Sequence, residues 1–199
     1  MADNTRAVPI GKIVTSDAAG DVLVAYGLGS CVAICLYDPV ARVGGMLHAL
    51  LPAAPNNPRR NRNASVPAAS AKFVDQGVSL LIESLLKLGA RRTRLTAQLC
   101  GGAQVLSAPG FEGQMTLNIG ERNVRAAENA LKVAGIRIRV REIGGRMGRT
   151  VRLYIADGRV TAKSLGQGER VLYERTSGET EKTKRRQRKM REPTTAVGA

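Results

Sequence analysis

The sequence predicts a single domain that mixes strands with helices. Three observations point there. Eight short apolar runs, bounded by Gly, Pro or Asp, have the length and branching of strands. Two longer segments repeat apolar residues near the helical period. Aromatics are scarce, with no Trp, two Phe and four Tyr, so the core has to be aliphatic. A chain of 199 residues can bury such a core in one domain.

Residues 1–9 read as a flexible N-terminal arm. Residues 10–26 hold two strands around the polar turn Ser16-Asp17-Ala18-Ala19-Gly20-Asp21. Val22-Leu23-Val24-Ala25-Tyr26 is short, branched and closed by glycine, which favours strand over helix. Gly27-Leu28-Gly29-Ser30 turns the chain, and residues 31–37 form a strand apolar on both faces, hence buried. Asp38-Pro39 starts the next turn. Residues 43–51 pair back antiparallel and stop at Pro52, with Met46, His48 and Leu50 on one face and Leu47, Ala49 and Leu51 on the other.

Residues 52–70 form a long basic loop rich in Pro, Asn and Arg, longer than most connections in a compact domain. The spacing of Phe73, Gly77, Leu80, Leu81, Ile82, Leu85 and Leu88 predicts a helix over 71–88, stopped by Gly89. Residues 94–100 are a strand ending in Gly101-Gly102-Ala103. Asn118-Ile119-Gly120-Glu121 caps a second helix that runs through Ala134, with Val124, Ala127 and Leu131 inward and Gly135 at its end. Residues 136–141 alternate Ile-Arg-Ile-Arg-Val-Arg, a half-buried strand with three outward guanidiniums. Residues 150–155 and 159–164 form a hairpin about a two-residue Asp157-Gly158 turn. The domain so bounded covers 10–175, and the polar, charged tail 176–199 is expected to be disordered.

No run reaches the roughly 18–20 apolar residues of a membrane span, and the N-terminus has no charged-then-apolar leader pattern. Three cysteines at no framework spacing fit a reducing compartment. Together these predict a cytoplasmic protein without membrane insertion. The formal charge is +15, and the tail, with seven Lys/Arg and three Glu, accounts for only a minor part of it. A basic body suits an acidic partner, nucleic acid or an anionic surface, or serves solubility alone. Arg137, Arg139 and Arg141 would suit phosphate contacts. Stacking aromatics are nearly absent and no helix-turn-helix, zinc-finger or RNA-recognition signature appears, so no specific nucleic-acid partner is expected. Gly101-Gly102 and Gly144-Gly145 lack the Lys-Ser/Thr continuation of a phosphate loop and read as backbone turns.

The chemistry concentrates in two places. Cys31 follows a small-residue turn whose main-chain amides, at Gly29 and Ser30, can stabilise a thiolate or an oxyanion. His48, the only histidine, sits on the neighbouring strand and can take the thiol proton and return it to a leaving amine. A buried, unreactive Cys31 is the alternative. A zinc set of Cys31, Cys35, Cys100 and His48 is disfavoured. Cys31 and Cys35 lie about 13 Å apart along an extended strand, too far for zinc–sulfur bonds of about 2.3 Å. Cys35 and Cys100 are read as core, and no metal or cofactor is expected.

These residues resemble a known family. Gly27-Leu-Gly-Ser-Cys31-Val-Ala-Ile-Cys-Leu-Tyr-Asp-Pro39, then Arg42-Val-Gly-Gly-Met-Leu-His48-Ala-Leu-Leu-Pro52, are similar to the CheD chemoreceptor glutamine deamidases of chemotaxis. Gly101-Gly102-Ala103, Asn118-Ile119-Gly120-Glu121-Arg122-Asn123 and Gly144-Gly145 continue the resemblance, which spans residues 8–175. It implies an α+β fold, a layered β-sandwich of mixed and antiparallel sheets with two main helices packed outside, like the cysteine deamidase toxins. It implies a hydrolase of carbon–nitrogen bonds. Cys31 would attack a receptor glutamine carboxamide, ammonia would leave, and water would release glutamate from the thioester. The implied partners are methyl-accepting chemoreceptor signalling domains and the CheC phosphatase, and some members demethylate receptor glutamates. An inactive adaptor binding receptors or CheC is the alternative. The family's orienting threonine, five or six residues before the cysteine, is replaced here by Tyr26 and Ala25. A backbone carbonyl, Ser30 or the Tyr26 hydroxyl is left to orient the imidazole.

Overall fold

The computed structural model describes residues 4–54, 69–104, 119–164 and 166–174. Ten strands and two α-helices run in the order β1 (Asn4–Ala7), β2 (Lys12–Ser16), β3 (Asp21–Leu28), β4 (Val32–Asp38), β5 (Val43–Ala49), α1 (Val74–Lys87), β6 (Thr96–Gly101), α2 (Ile119–Val133), β7 (Arg137–Ile143), β8 (Arg149–Tyr154), β9 (Val160–Ser164) and β10 (Arg170–Tyr173). They form two five-stranded sheets, ordered β1-β3-β8-β9-β10 and β2-β5-β4-β6-β7. Each sheet is mixed, with one parallel pair, β1 with β3 and β6 with β7, among antiparallel neighbours. The expected α+β sandwich with external helices is the architecture found.

The helices explain how three layers form from this sequence. Val74, Val78, Leu81, Ile82 and Leu85 make one buried stripe on α1, and Val124, Ala127 and Leu131 another on α2. Both stripes rest on the outward residues of the second sheet, among them Val32, Ile34, Leu36, Leu47, Ala49 and Leu99. The opposite face of that sheet, with Ala33, Cys35, Met46 and Cys100, packs against Leu23, Ala25, Leu28, Val151 and Leu153 of the first. β4 is therefore covered on both faces, and all seven of its residues are buried. Each helix ends in the same way. Gly89 (φ +90°) and Gly135 (φ +70°) follow α1 and α2 in the left-handed region. The amides of Ala90 and Ile136 return to the carbonyls of Leu85 and Leu131, at 3.1 and 2.9 Å.

Four sequence expectations change. The arm expected over 1–9 contains β1, which pairs in parallel with β3 and is anchored by side chains: Asn4 and Arg6 donate to the Asp21 carboxylate at 2.7 and 2.9 Å. Asp21 also accepts from Ser16 at 2.6 Å, which, ahead of the Arg6 and Asn4 bonds, holds its pKa below the ordinary value. The helix expected from Ala71 starts at Val74. The turn after β8 is longer than two residues, since Gly158 N–H donates to the Tyr154 carbonyl and strand pairing ends at Leu153–Val160. β10 adds a strand that no apolar pattern announced.

The outward Arg face of β7 is present, but Arg141 is paired with Glu128 on α2 at 2.8 Å. No helix among the described residues is long and apolar enough to cross a membrane. Most of the 52–70 loop, Asn118 and the 176–199 tail lie outside the described residues.

Candidate active site

The β4–β5 hairpin decides whether Cys31 and His48 can meet. Its register pairs Ala33 with His48 and Val32 with Ala49, so Cys31 lies one residue beyond the last pair. Cys31, Ala33, Met46 and His48 alternate onto one face, the face turned to the first sheet. That puts Cys31 on the diagonal from His48, one residue past the end of the ladder. Cys31 is 8% exposed and His48 2%. The other two thiols are wholly buried between the sheets. Burial pushes Cys35 well above the ordinary thiol value and Cys100 up to about 12.

The imidazole is oriented by the main chain. Nδ1 of His48 lies 3.0 Å from the carbonyl oxygen of Val8, just after β1. A carbonyl only accepts, so Nδ1 carries the proton and Nε2 presents a lone pair. Nε2 is buried and has no hydrogen-bond partner among the described residues. Val8 is fixed in turn by its amide, which donates to the Val24 carbonyl at 2.7 Å, while Gly11 N–H donates to the carbonyl of His48 itself at 2.7 Å. Of the three orienting groups open from the sequence, a backbone carbonyl has the place. Ala25 is buried in the core between the sheets and Tyr26 is 54% exposed.

Burial lowers the His48 pKa below 6.5, against the opposing effect of the Val8 hydrogen bond. Burial raises the Cys31 thiol above 9.0, and a hydrogen bond from its own main-chain amide works the other way. Near neutrality the pair therefore rests as thiol and neutral imidazole.

The glycine turn is held from one side by three successive carbonyls. Gly29 accepts from Ala103 N–H at 2.8 Å, Ser30 from the Asn123 side-chain nitrogen at 2.9 Å, and Cys31 from Gly102 N–H at 2.8 Å. No peptide here is cis, so each N–H points opposite to the carbonyl of its own unit. The Cys31 amide shares its peptide unit with the Ser30 carbonyl and thus faces away from Asn123 of α2, and the Ser30 amide shares one with the Gly29 carbonyl and faces away from Ala103. Gly27 (φ +62°) lies at the break in register between Ala25 and Leu28 and belongs to β3, so the turn proper is Gly29-Ser30. Gly101 (φ +105°) lets β6 approach so closely that a Cβ there would sit 2.3 Å from the Cys31 carbonyl oxygen.

Sequence reasoning thus placed Cys31, His48, Gly29 and Ser30 in one locality, and the structure gathers them. It missed Val8, whose contribution is a carbonyl that no side chain advertises, and it gave Asn123 no role. Asn123 was visible only as the end of the motif that begins at Asn118.

A thiol and a lone-pair imidazole thus share the inner face of a β-sandwich, the side-chain types that cysteine hydrolases use. The model of the family described as CheD chemotactic sensory transduction matches residues 50–164. That span begins after both Cys31 and His48, so the match is independent of them. A probable chemoreceptor glutamine deamidase CheD of Symbiobacterium thermophilum is 41% identical over 167 residues, 84% of this chain and 96% of that protein. Proteins of the same name from Desulforamulus reducens and Pyrococcus abyssi are each 43% identical. The first covers 78% of this chain and 88% of that protein, the second 81% and 93%. A Bacillus licheniformis hypothetical protein YfiH, at 15% identity, covers 70% of this chain and 59% of its own with a TM-score of 0.38, a likeness too loose to bear on function. The chain belongs to the CheD family.

Proposed function

We propose that this chain is a protein-glutamine deamidase, a hydrolase of carbon–nitrogen bonds acting on chemoreceptor signalling domains, with Cys31 as nucleophile and His48 as base. The observation that carries the reading is the His48 Nδ1–Val8 carbonyl contact. It leaves Nε2 as a desolvated lone pair on the sheet face that Cys31 shares. The relatives named as chemoreceptor glutamine deamidases supply the substrate class.

Nε2 takes the thiol proton as sulfur adds to the glutamine carboxamide carbon. The oxygen of that carbonyl becomes an oxyanion, and the amides of Ser30 and Cys31 are the donors this reading assigns to it. The imidazolium then gives its proton to the amide nitrogen, the C–N bond breaks and ammonia leaves. His48 next takes a proton from water as it adds to the thioester. Collapse breaks the C–S bond, returns the proton to sulfur and releases glutamate. Gly29 and Ser30 act through the turn that aims those amides. The reaction needs no cofactor. A chemoreceptor signalling domain as substrate places the enzyme in the cytoplasm, where the CheC phosphatase is the regulator this reading proposes.

Incubation with receptor signalling-domain helices and mass spectrometry of the products test the reading. Glutamine becomes glutamate with the intact protein and stays unchanged with Cys31→Ala or His48→Ala. Conversion that persists in Cys31→Ala overturns the mechanism. Tight receptor binding with no conversion by the intact protein makes the chain an adaptor instead.

A further inference from the structure

The β4–β5 ladder stops at Val32–Ala49. Beyond that rung the two chains part. The Leu50 amide turns away to the Lys72 carbonyl at 3.0 Å, and Ser30 enters the glycine turn. The gap lies where the nucleophile and the base need a fixed separation. Among the described residues, the side chain of Asn123 crosses it. Asn123, in the second turn of α2, is wholly buried, and its Nδ2 donates to the carbonyl of Ser30 at 2.9 Å and to that of Leu50 at 3.0 Å. Both neighbours are acceptors, so the nitrogen is the atom that faces them and both of its hydrogens are used.

We infer that Asn123 is a positioning residue that clamps the cysteine turn to the histidine strand. This deepens the deamidase reading and depends on it only for the activity readout. Ser30 immediately precedes Cys31, and its carbonyl belongs to the same peptide unit as the Cys31 amide, so the clamp aims the amide that faces sulfur and oxyanion. Leu50 follows His48 by two residues and lies one residue past the end of β5, so the same nitrogen fixes the end of the strand that carries the base. α2 is set firmly enough to do this because glycines meet where it enters. A Cβ on Gly120 would stand 2.5 Å from the Gly102 carbonyl oxygen, and one on Gly102 would stand 2.5 Å from Val124 Cγ2. The other polar atom of the side chain, Oδ1, is buried without a hydrogen-bond partner among the described residues. An unpaired oxygen in the interior is costly, and the side chain keeps this site through its nitrogen.

The test is Asn123→Ala beside Asn123→Asp in the full chain. Aspartate has the shape of asparagine but gives up the amide donors, which separates the clamp from mere packing. Three quantities are read: kcat and KM for receptor-helix deamidation, the pH dependence of Cys31 alkylation by iodoacetamide, and the melting temperature. Displacement of a reacting group by about 1 Å costs on the order of 10²-fold in rate, and a loss of that size in kcat is expected for both variants. KM stays within about twofold, since the clamp does not touch substrate. The alkylation midpoint moves to higher pH as the Cys31 amide loses its aim. Wild-type kcat and an unmoved alkylation profile in folded Asn123→Asp overturn the inference.

Should neither variant fold, exchange of the Asn123 side-chain amide hydrogens in the wild-type protein decides by NMR. Slow exchange supports the clamp, and exchange as fast as that of an exposed asparagine overturns it. If the wild-type protein deamidates nothing, the functional reading fails while the alkylation profiles still test the clamp.

Discussion

The carbonyl oxygen of Val8 stands 3.0 Å from Nδ1 of His48, so a residue outside the motif-bearing strands selects the tautomer of the only imidazole. Deleting residues 1–8 removes that acceptor along with β1. An imidazole free to carry its proton on either nitrogen loses part of its service as a base, and kcat is expected to fall on the order of 10²-fold. Asp21→Ala is the subtler variant. It unties Asn4 and Arg6 of β1, and Ser16 of β2, from β3 while leaving Val8 in the chain, and deamidation should fall less than in the deletion. Full activity in the folded deletion protein shows that Val8 does not orient His48.

The neutral resting pair has a pH signature. Burial holds His48 below 6.5, so the imidazole is already deprotonated over most of the neutral range. Protonated His48 cannot accept the thiol proton. The acid limb of kcat/KM therefore rises with increasing pH through a midpoint below the ordinary imidazole value. Burial holds Cys31 above 9.0, so iodoacetamide alkylation climbs only in alkaline solution. Rapid alkylation that is flat from acid to neutral pH would reveal a thiolate–imidazolium pair and contradict this assignment.

The parts of this site that the sequence announces are those written in side-chain identity. A lone histidine, a cysteine behind a glycine turn and a hairpin between them suffice for Cys31 and His48, because alternation fixes the faces once the strands pair. The helix stops were equally legible, since Gly89 and Gly135 supply the left-handed residue that each end requires. Val8 acts through a main-chain atom, and nothing in its side chain signals that. β1 is exposed at all four positions and carries no alternation to read. Its place is decided by pairing with β3 and by the Asp21 cluster. Asn123 reaches Ser30 across 93 positions of sequence, a contact that only the packing of α2 creates.

Gly101→Ala tests the close passage of β6 behind the nucleophile. The new Cβ would meet the Cys31 carbonyl at 2.3 Å, at a backbone angle (φ +105°) that favours glycine. The obstructing atom is main chain, so relief has to come from moving Cys31 itself. The expected outcome is a loss of stability of about 2–4 kcal/mol in urea unfolding, with deamidation lost more completely than the fold. Unchanged turnover would show that the Cys31 backbone has room to shift without harm.

Asp38 predicts the opposite separation of stability from activity. It is wholly buried at the end of β4 remote from Cys31. There it accepts from Val40 and Arg91 amides at 2.9 and 2.8 Å and pairs with Arg94 at 2.7 Å. Asp38→Ala leaves these donors unmatched and should cost about 2–4 kcal/mol, tempered because Arg94 can turn to solvent. Measured well below the melting transition, kcat should stay close to wild type. A large fall in kcat with the fold intact would extend the catalytic framework to the far end of β4.

The net charge of +15 predicts how a long substrate is found. If the receptor surface is acidic, as the basic body suits, positive charge accelerates encounter, and added salt screens that attraction over about 8–10 Å at physiological ionic strength. Bond-making at Cys31 occurs between neutral partners in a buried site and is screened far less. Raising salt should therefore lower kcat/KM for a receptor signalling domain more steeply than for a short neutral glutamine peptide. Truncation from Ser177 onward should leave cleavage of the peptide unchanged, because its seven Lys/Arg belong to encounter and not to the dyad. Equal salt dependence for both substrates would mean that the charge serves solubility and takes no part in steering.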